Sequence, residues 1–325
     1  MTALLGPDDF DLDAMLTDLA ALVNVESPSL VLDQLELSAS TLAAMIERHL
    51  GGECALVASP AGPHVHWQGG GDPKVLILGH HDTVFPMGTL DKRPFDVTDG
   101  VATGPGVFDM LGGIVQALHG LAKIGPAGGD TSGVELLFSA DEEVGSHESR
   151  ELIEERALAC GNVLVLEPSA DGGGLKTGRK GCGTFEVIVG GRAAHAGLEP
   201  ENGVNALIEM THQVIAISHF GDASVGTTVT PTVATAGTTD NVVPAEARIK
   251  VDVRVESAAE KARVEGAMAA LSVVDPAASL TVLGHIGRPP MPESASATLF
   301  PIAQQVAPGI AGFAVGGGSD GNFTA

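Results

Sequence analysis

Cysteine is scarce in this chain. Only Cys54, Cys160 and Cys182 occur among 325 residues. They form no C-x-x-C pair, so neither a disulfide framework nor a cysteine zinc site is implied. Basic residues are also few: 17 Lys and Arg stand against 41 Asp and Glu, a formal net charge of −24. Such a surface repels phosphate backbones and argues against nucleic acid as a partner, although a local cationic pocket can still hold an anionic small molecule. There is no long apolar run of membrane-spanning character. The opening Met1-Thr-Ala-Leu-Leu-Gly-Pro-Asp-Asp9 lacks the basic region and apolar core of a signal peptide. No membrane association and a cytoplasmic location are therefore expected. Internal repeats and low-complexity segments are absent as well. What the chain does have is core-forming material: 44% hydrophobic against 18% charged residues, enough for one large or two ordinary domains.

Hydrophobic periodicity predicts a helix over 11–25, with Leu12, Met15, Leu16, Leu19 and Leu22 along one side. A second helix is predicted over 38–50, stopped by Gly51 and Gly52. Short strands are expected near 54–58 and 64–67. Val75-Leu-Ile-Leu78 then reads as a buried strand running into Gly79, His80, His81, Asp82 and Thr83. A long polar loop over 85–103 follows. The glycine-rich Gly104-Pro-Gly-Val-Phe-Asp-Met-Leu-Gly-Gly113 leads into a helix over 114–124. Its spacing is not that of a dinucleotide fold, because Asp109 stands where the third glycine belongs, and there is no Walker lysine. The glycines are read as letting the backbone pass close to something held by Asp109. Strands over 134–138 and 162–166 flank a helix reaching about 159; they run into Ser139-Ala-Asp-Glu-Glu-Val-Gly145 and Glu167-Pro168.

From about 178 the composition changes. Strands are predicted over 184–189, 225–234, 247–255 and 280–283, with helices over 204–218 and 258–271. This β-α-β-β-α-β order fits a split βαβ, ferredoxin-like domain inserted into the first. A helix over 295–306 and a strand over 311–315 are then expected to return to the first domain.

Three strands thus end in His80/Asp82, in Asp141-Glu142-Glu143 and in Glu167, with Asp109 opening a helix. In open α/β sheets, ligands collect past the carboxyl ends of the strands. His80 and Asp82 are two apart and leave the strand on one side, where a carboxylate can hold a metal-bound imidazole in its tautomer. One acidic strand end is ordinary loop solvation. Several such ends with a histidine among them point to divalent metal. Two cations can activate water and polarise a carbonyl together, and Asp109 suits the bridging position. Of the adjacent Glu142 and Glu143, one can bind metal while the other moves a proton from water to a leaving amine. The same pair also suits the N-terminal dipole of the next helix.

The combination His80-x-Asp82-Thr83, Gly106-x-x-Asp109-x-x-Gly112-Gly113, Asp141-Glu142-Glu143 and Glu167-Pro168 resembles the co-catalytic zinc exopeptidases. That family includes glutamate carboxypeptidase, acetylornithine deacetylase, succinyl-diaminopimelate desuccinylase and aminoacylase. The match runs over nearly the whole chain. It implies an α/β, mixed-sheet catalytic domain with helices on both faces over 1–177 and 288–325, and an α+β ferredoxin-like lid and dimerisation domain over 178–287. It further implies two Zn2+, with Co2+ or Mn2+ as alternatives. His80 and Glu167 would bind one ion, Glu143 the other, and Asp109 would bridge. Asp82 would orient His80, Glu142 would be the general base, and a cis peptide would follow Asp109. His195 matches a histidine that reaches a neighbouring subunit's site to stabilise the oxyanion, which implies a homodimer. Asn241 and Arg288 match residues that grip a substrate carboxylate, and Gly317, Gly318 and Ser319 match a loop facing substrate. Arg254 is read as structural.

One departure matters. The family's second zinc takes a final histidine after that glycine-rich loop, and none of the eleven histidines follows Ser319. The resulting expectation is that the sequence is truncated after Ala325; otherwise the second ion would be held weakly. Gly317-Gly-Ser-Asp-Gly321 also fits the G-x-S-x-G nucleophile elbow, but no acid and histidine partners follow it. The implied reaction is hydrolysis of an amide beside a free carboxylate on an N-acyl amino acid or short peptide. Gly79-His-His-Asp-Thr-Val-Phe-Pro-Met-Gly-Thr89 and Arg93-Pro-Phe95 favour the glutamate carboxypeptidase branch. The alternatives are an N-acyl-amino-acid deacylase of the acetylornithine or succinyl-diaminopimelate type and, from another class, a metal-depleted dimeric binding protein.

Overall fold

The computed structural model describes residues 5–325. In chain order the elements are α1 (Leu12–Val23), α2 (Leu32–Leu50), β1 (Cys54–Val57), β2 (His64–Gln68), β3 (Val75–His80), β4 (Asp96–Thr98), β5 (Val101–Thr103), α3 (Gly112–Ile124), β6 (Val134–Ser139), α4 (Arg150–Cys160), β7 (Val163–Val165), β8 (Leu175–Arg179), β9 (Gly181–Gly190), α5 (Ala206–Ser218), β10 (Thr228–Ala236), β11 (Glu246–Val255), α6 (Ala258–Ala269), β12 (Ser279–Arg288), α7 (Phe300–Val306) and β13 (Gly312–Val315). They fall into two units. The first runs to Leu175 and takes in Thr298–Gly312 and Ser319–Ala325; the second comprises Lys176–Ala297 and Phe313–Gly318.

The first unit is built on a mixed sheet in the order β1-β2-β6-β3-β7. β3 is parallel to β6 and β7, whereas β2 is antiparallel to β6 and to β1. Successive side chains of a strand point to opposite faces. Ile77, Leu136 and Phe138 accordingly join α1, α2 and α3 in one core, while Leu76, Leu78 and Leu137 join α4 and Phe323 in another. Burial on both faces is why these strands read as continuous apolar runs.

Local signals explain where the reading of the helices succeeds and where it slips. Asp11 caps α1, accepting Ala14 N–H at 3.0 Å. α2 begins at Leu32 rather than 38, and its cap, Val31, offers no side-chain bond that would mark the start. The expected loop over 85–103 contains the small hairpin β4–β5, too short to show a period. The stretch Val107–Ile124 is apolar enough for a membrane span. Its backbone leaves helical geometry at Asp109 and Met110, and α3 proper has 13 residues, about 20 Å against a ~30 Å hydrocarbon core. Ile114, Val115, Leu118 and Leu121 lie in the first core, so α3 is a core helix.

The second unit has a sheet in the order β10-β11-β9-β12 with every neighbour antiparallel. Together with the chain order β9-α5-β10-β11-α6-β12, this is the expected split βαβ arrangement. Phe185, Val187 and Val189 of β9 and Ile249, Val251 and Val253 of β11 bury one face against Met210 and Ile217 of α5 and Val264 and Met268 of α6.

The seams differ from expectation. The strand near 311–315 does not rejoin the main sheet: β13 pairs with β8. Nor does the chain leave the second unit at 288. β12 continues to Arg288, opposite Cys182, and Met291 bridges Arg179, which holds the chain there until Ala297.

A buried carboxylate staples the three helices on one face of the first sheet. Asp18 Oδ2 accepts from His49 Nε2 at 2.6 Å and His119 Nε2 at 2.9 Å, and Arg48 Nη2 donates to Oδ1 at 2.5 Å. Zinc ligands at ~2.0–2.1 Å and tetrahedral angles lie ~3.3 Å apart. The shorter separations, with a guanidinium on the second oxygen, identify a hydrogen-bonded staple rather than a cation site. Burial raises the Asp18 pKa, but bonds from His49, His119 and Arg48 more than offset it and leave the carboxyl below its usual range. A depressed folded-state pKa contributes stability above the unfolded value that is lost as pH falls through the folded one. Asp18→Ala should therefore lower unfolding free energy by roughly 1–3 kcal/mol at pH 7. In denaturant titrations the deficit should shrink below pH 4; an equal deficit at pH 3 and pH 7 would contradict this account.

Candidate metal centre

Parallel pairing places the carboxyl ends of β3, β6 and β7 on one edge of the first sheet. His80 is the last residue of β3 and is 1% exposed. β6 ends at Ser139 and is followed by Asp141 and the turn Glu142–Val144. Glu167 stands just past β7. Asp109 opens the turn before α3, and the Asp109–Met110 peptide is cis, as the family resemblance implies. Two glycines allow that turn to close in. Gly106 has φ +69, and a Cβ there would meet Thr83 Cγ2 at 2.9 Å; a Cβ at Gly113 would stand 2.4 Å from the Leu166 carbonyl oxygen. Side chains at these positions would push Asp109 away from the exits of β3 and β7.

The side chains converge. His80 Nε2 lies 3.2 Å from Asp109 Oδ1 and 4.0 Å from Glu167 Oε1. Donor atoms of His80, Asp109 and Glu143 all lie within 4.8 Å of one another, as do those of His80, Glu142 and Glu167. On the other side of the ring, His80 Nδ1 is 2.9 Å from the Asp82 carbonyl oxygen and 3.4 Å from Asp82 Oδ1. A proton on Nδ1 fits these acceptors and leaves Nε2 facing the carboxylates, the nitrogen that would give up its proton to bind a cation. That geometry suits a cation between them. The donor set, imidazole plus carboxylate oxygens, fits zinc and also admits cobalt or manganese.

Asp82 holds this arrangement in place. Its carboxylate is fully buried, and it accepts Ser29 Oγ–H at 2.6 Å, Glu142 N–H at 3.1 Å and Glu143 N–H at 3.2 Å. Burial pushes its pKa up, but His80 and Ser29 outweigh that and keep it low. Next to it, His81 is driven down to about 4, chiefly by burial. Neutral at ordinary pH, it donates from Nε2 to the Pro63 carbonyl at 3.0 Å and accepts from Ser38 Oγ through Nδ1 at 3.1 Å. It fastens the end of β3 to α2 and takes no part in the carboxylate cluster.

The electrostatics also point to a cation. Burial acts against a charged His80, yet bonds to Asp109 and Asp82 and the fields of Asp82 and Glu142 hold it well above the ordinary imidazole value. Glu143 is pushed up to about 7 by burial, opposed by His80 and assisted by Asp109, Asp82 and Glu167. Desolvation leads, and the crowded like charges add to it.

The remaining expected site residues are not among these donor groups. His195, Asn241, Arg288, Gly317 and Gly318 belong to the second unit and Ser319 to the first. His195 Nδ1 accepts from Gly197 N–H and Leu198 N–H, both at 3.1 Å. This assigns the ring proton to Nε2 on an exposed ring. Asn241 is exposed, and its carbonyl accepts Ala196 N–H at 2.9 Å, beside His195. Arg288 is half-buried at the end of β12. Gly317 and Gly318 offer their carbonyls to Arg179 Nη1 at 3.1 and 3.3 Å. Ser319 is fully buried, its Oγ accepting Gly321 N–H at 3.2 Å. Arg254 pairs with Asp252 at 2.9 Å. Ser29 and Arg179 take part in these networks without having drawn notice in the sequence, because single Ser and Arg residues carry no periodic or spacing signal.

The chain is similar to several known proteins in sequence and in fold. A peptidase dimerisation domain matches residues 177–273. Carboxypeptidase G2 of Pseudomonas sp. is 39% identical over 189 residues, covering 58% of this chain and 46% of that protein. Succinyl-diaminopimelate desuccinylase 1 of Alteromonas mediterranea is 32% identical over 205 residues, covering 57% and 52%. The matched part thus spans about half the length of these relatives. Among solved structures, the aminopeptidase PepT of Bacillus cereus superposes with a TM-score of 0.75 at 20% identity, covering 97% of this chain and 87% of that one. An M20 family metallo-carboxypeptidase of Sulfolobus solfataricus gives 0.71 at 14% identity, covering 97% and 88%.

The raised Glu143 pKa has a measurable consequence. A group holding a proton near pH 7 must release it before it can bind a cation. Zinc titrated into chelator-treated protein should bind more weakly at pH 6 than at pH 8. Proton release, read by calorimetry in two buffers, should be larger at pH 6 than at pH 8. Glu143→Gln should abolish that difference in release.

Proposed function

From a chain that resembles the co-catalytic zinc exopeptidases in motifs and fold and carries a peptidase dimerisation domain, we propose a metal-dependent hydrolase that cleaves an amide or peptide bond beside a free carboxylate. The glutamate-carboxypeptidase type is favoured by the likeness to carboxypeptidase G2. The observation that carries the reading is the gathering of His80, Asp109, Glu142, Glu143 and Glu167 at one sheet edge. The succinyl-diaminopimelate desuccinylases among the relatives support a second reading, an N-acyl-amino-acid deacylase.

In this proposal His80 and Glu167 would hold one zinc ion and Glu143 a second, with Asp109 as a further carboxylate ligand of the centre. Zinc, when bound, supplies Lewis acidity at the amide carbonyl and makes a water easier to deprotonate. The rest falls to the chain itself. Asp82 fixes the His80 tautomer and the height of the Glu142 turn. Glu142, buried beside the cluster, accepts a proton from the attacking water and returns it to the departing amine. His195, with its proton on Nε2, would donate to the developing oxyanion, in a homodimer formed through the second unit. Arg288 and Asn241 would hold the substrate carboxylate; an arginine fork matches that group in shape and charge. Gly317, Gly318 and Ser319 are assigned to the substrate loop.

The deciding assay is a panel of N-acyl amino acids and dipeptides, with the protein zinc-loaded and then stripped by chelator. Hydrolysis that is lost on stripping and restored by zinc supports the proposal; zinc binding without turnover on any substrate would favour a binding protein instead. Glu142→Gln should retain zinc and lose kcat by about 10²–10⁴-fold. Arg288→Ala should act mainly by raising KM for carboxylate-bearing substrates.

A further inference from the structure

The glycine-rich stretch near the end of the chain ends in a serine and an aspartate that are both buried. Asp320 is 2% exposed. Its Oδ2 accepts Ser139 Oγ–H at 2.9 Å, and its Oδ1 accepts Ser146 Oγ–H. Ser139 is the last residue of β6, and Ser146 closes the turn that follows it. Between these two serines lie Asp141, Glu142 and Glu143. A single carboxylate therefore ties together both ends of the loop that carries the glutamate pair.

Ser146 is a constrained residue. It is fully buried with φ +55, a left-handed conformation that a non-glycine adopts at a cost. Its N–H donates to the Asp141 carbonyl at 2.8 Å, closing the loop, and the Asp320 bond holds its side chain. Asp82 in turn accepts the Glu142 and Glu143 amides. Asp320 is itself braced. Ser319 Oγ accepts Gly321 N–H, Asn322 Oδ1 accepts Ser319 N–H at 2.8 Å, and Phe323 sits in the core with α4.

We propose that Asp320 is a positioning residue: by fixing Ser139 and Ser146 it sets where Glu142 and Glu143 stand. What the glutamates do there rests on the hydrolase reading above; their placement by Asp320 does not. A carboxylate that merely stabilised the fold would behave differently when altered, and this makes the proposal testable.

In the full chain, Asp320→Asn keeps the size of the group but presents an amide donor to one serine. Hydrogen-exchange mass spectrometry should show peptides covering 140–148 exchanging about tenfold faster, with peptides from α2 and β11 unchanged. In the zinc-loaded enzyme kcat should fall by about 10²-fold, with KM within about twofold, because small misplacements of a catalytic group are costly. Ser146→Ala should show the same pattern more weakly, and it carries the test if Asp320→Asn does not fold. The two changes combined should cost less than the product of their separate effects. Loss of protection throughout the first unit with kcat per folded molecule preserved would overturn the proposal. So would unchanged exchange over 140–148. If the unaltered chain hydrolyses nothing in the panel, the hydrolase reading fails, and the exchange measurement still decides the role of Asp320.

Discussion

The buried carboxylate of Asp82 is the constraint on which the centre depends. A charge taken out of water is costly unless every oxygen finds partners. Here the partners come from three parts of the chain: Ser29 from the connection between α1 and α2, His80 from the end of β3, and two amides from the turn after β6. Satisfying the one charge therefore sets the imidazole and both glutamates relative to one another. The preference for burying no unpaired charge becomes a positional rule for the whole edge.

That edge departs from what stability alone would favour. Asp109, Glu142, Glu143 and Glu167 crowd one imidazole, and Glu143 is driven up to about 7. A surface would disperse such groups and hydrate them. Their concentration at the carboxyl ends of parallel strands, beneath a glycine-permitted close approach, is the mark of a site built for a ligand. The Asp18 cluster is the instructive contrast. It also joins histidines to a carboxylate, but its contacts are direct hydrogen bonds and a guanidinium neutralises it.

Much of the fold was legible because the underlying signals are local. The helical period of α1, the buried runs of β3 and β6, and the β-α-β-β-α-β order of the second unit were each readable without coordinates. The early start of α2, unmarked by a capping side chain, and the β4–β5 hairpin were not. The attachment of β13 to β8 was also hidden, since pairing partners far apart in sequence leave no periodic trace. Among site residues, His80, Asp109, Glu142, Glu143 and Glu167 stood out as donors at strand and helix ends. Ser29 and Arg179 did not, and Asp320 stood out only as the end of a glycine-rich loop, because each acts through a contact with a distant segment.

The sequence by itself determined which chemistry was available: carboxylates and an imidazole at the ends of buried strands, glycines where a backbone must pass closely, and the helical periods and apolar runs that supply the core. These follow from residue type and short-range period, which a linear chain carries in full. Only the tertiary structure decided which donors meet, which ring nitrogen carries the proton, and that Asp82 and Asp320 both grip the loop after β6. Those outcomes depend on distances between segments separated by tens to hundreds of residues, and such distances exist only once the sheet has assembled.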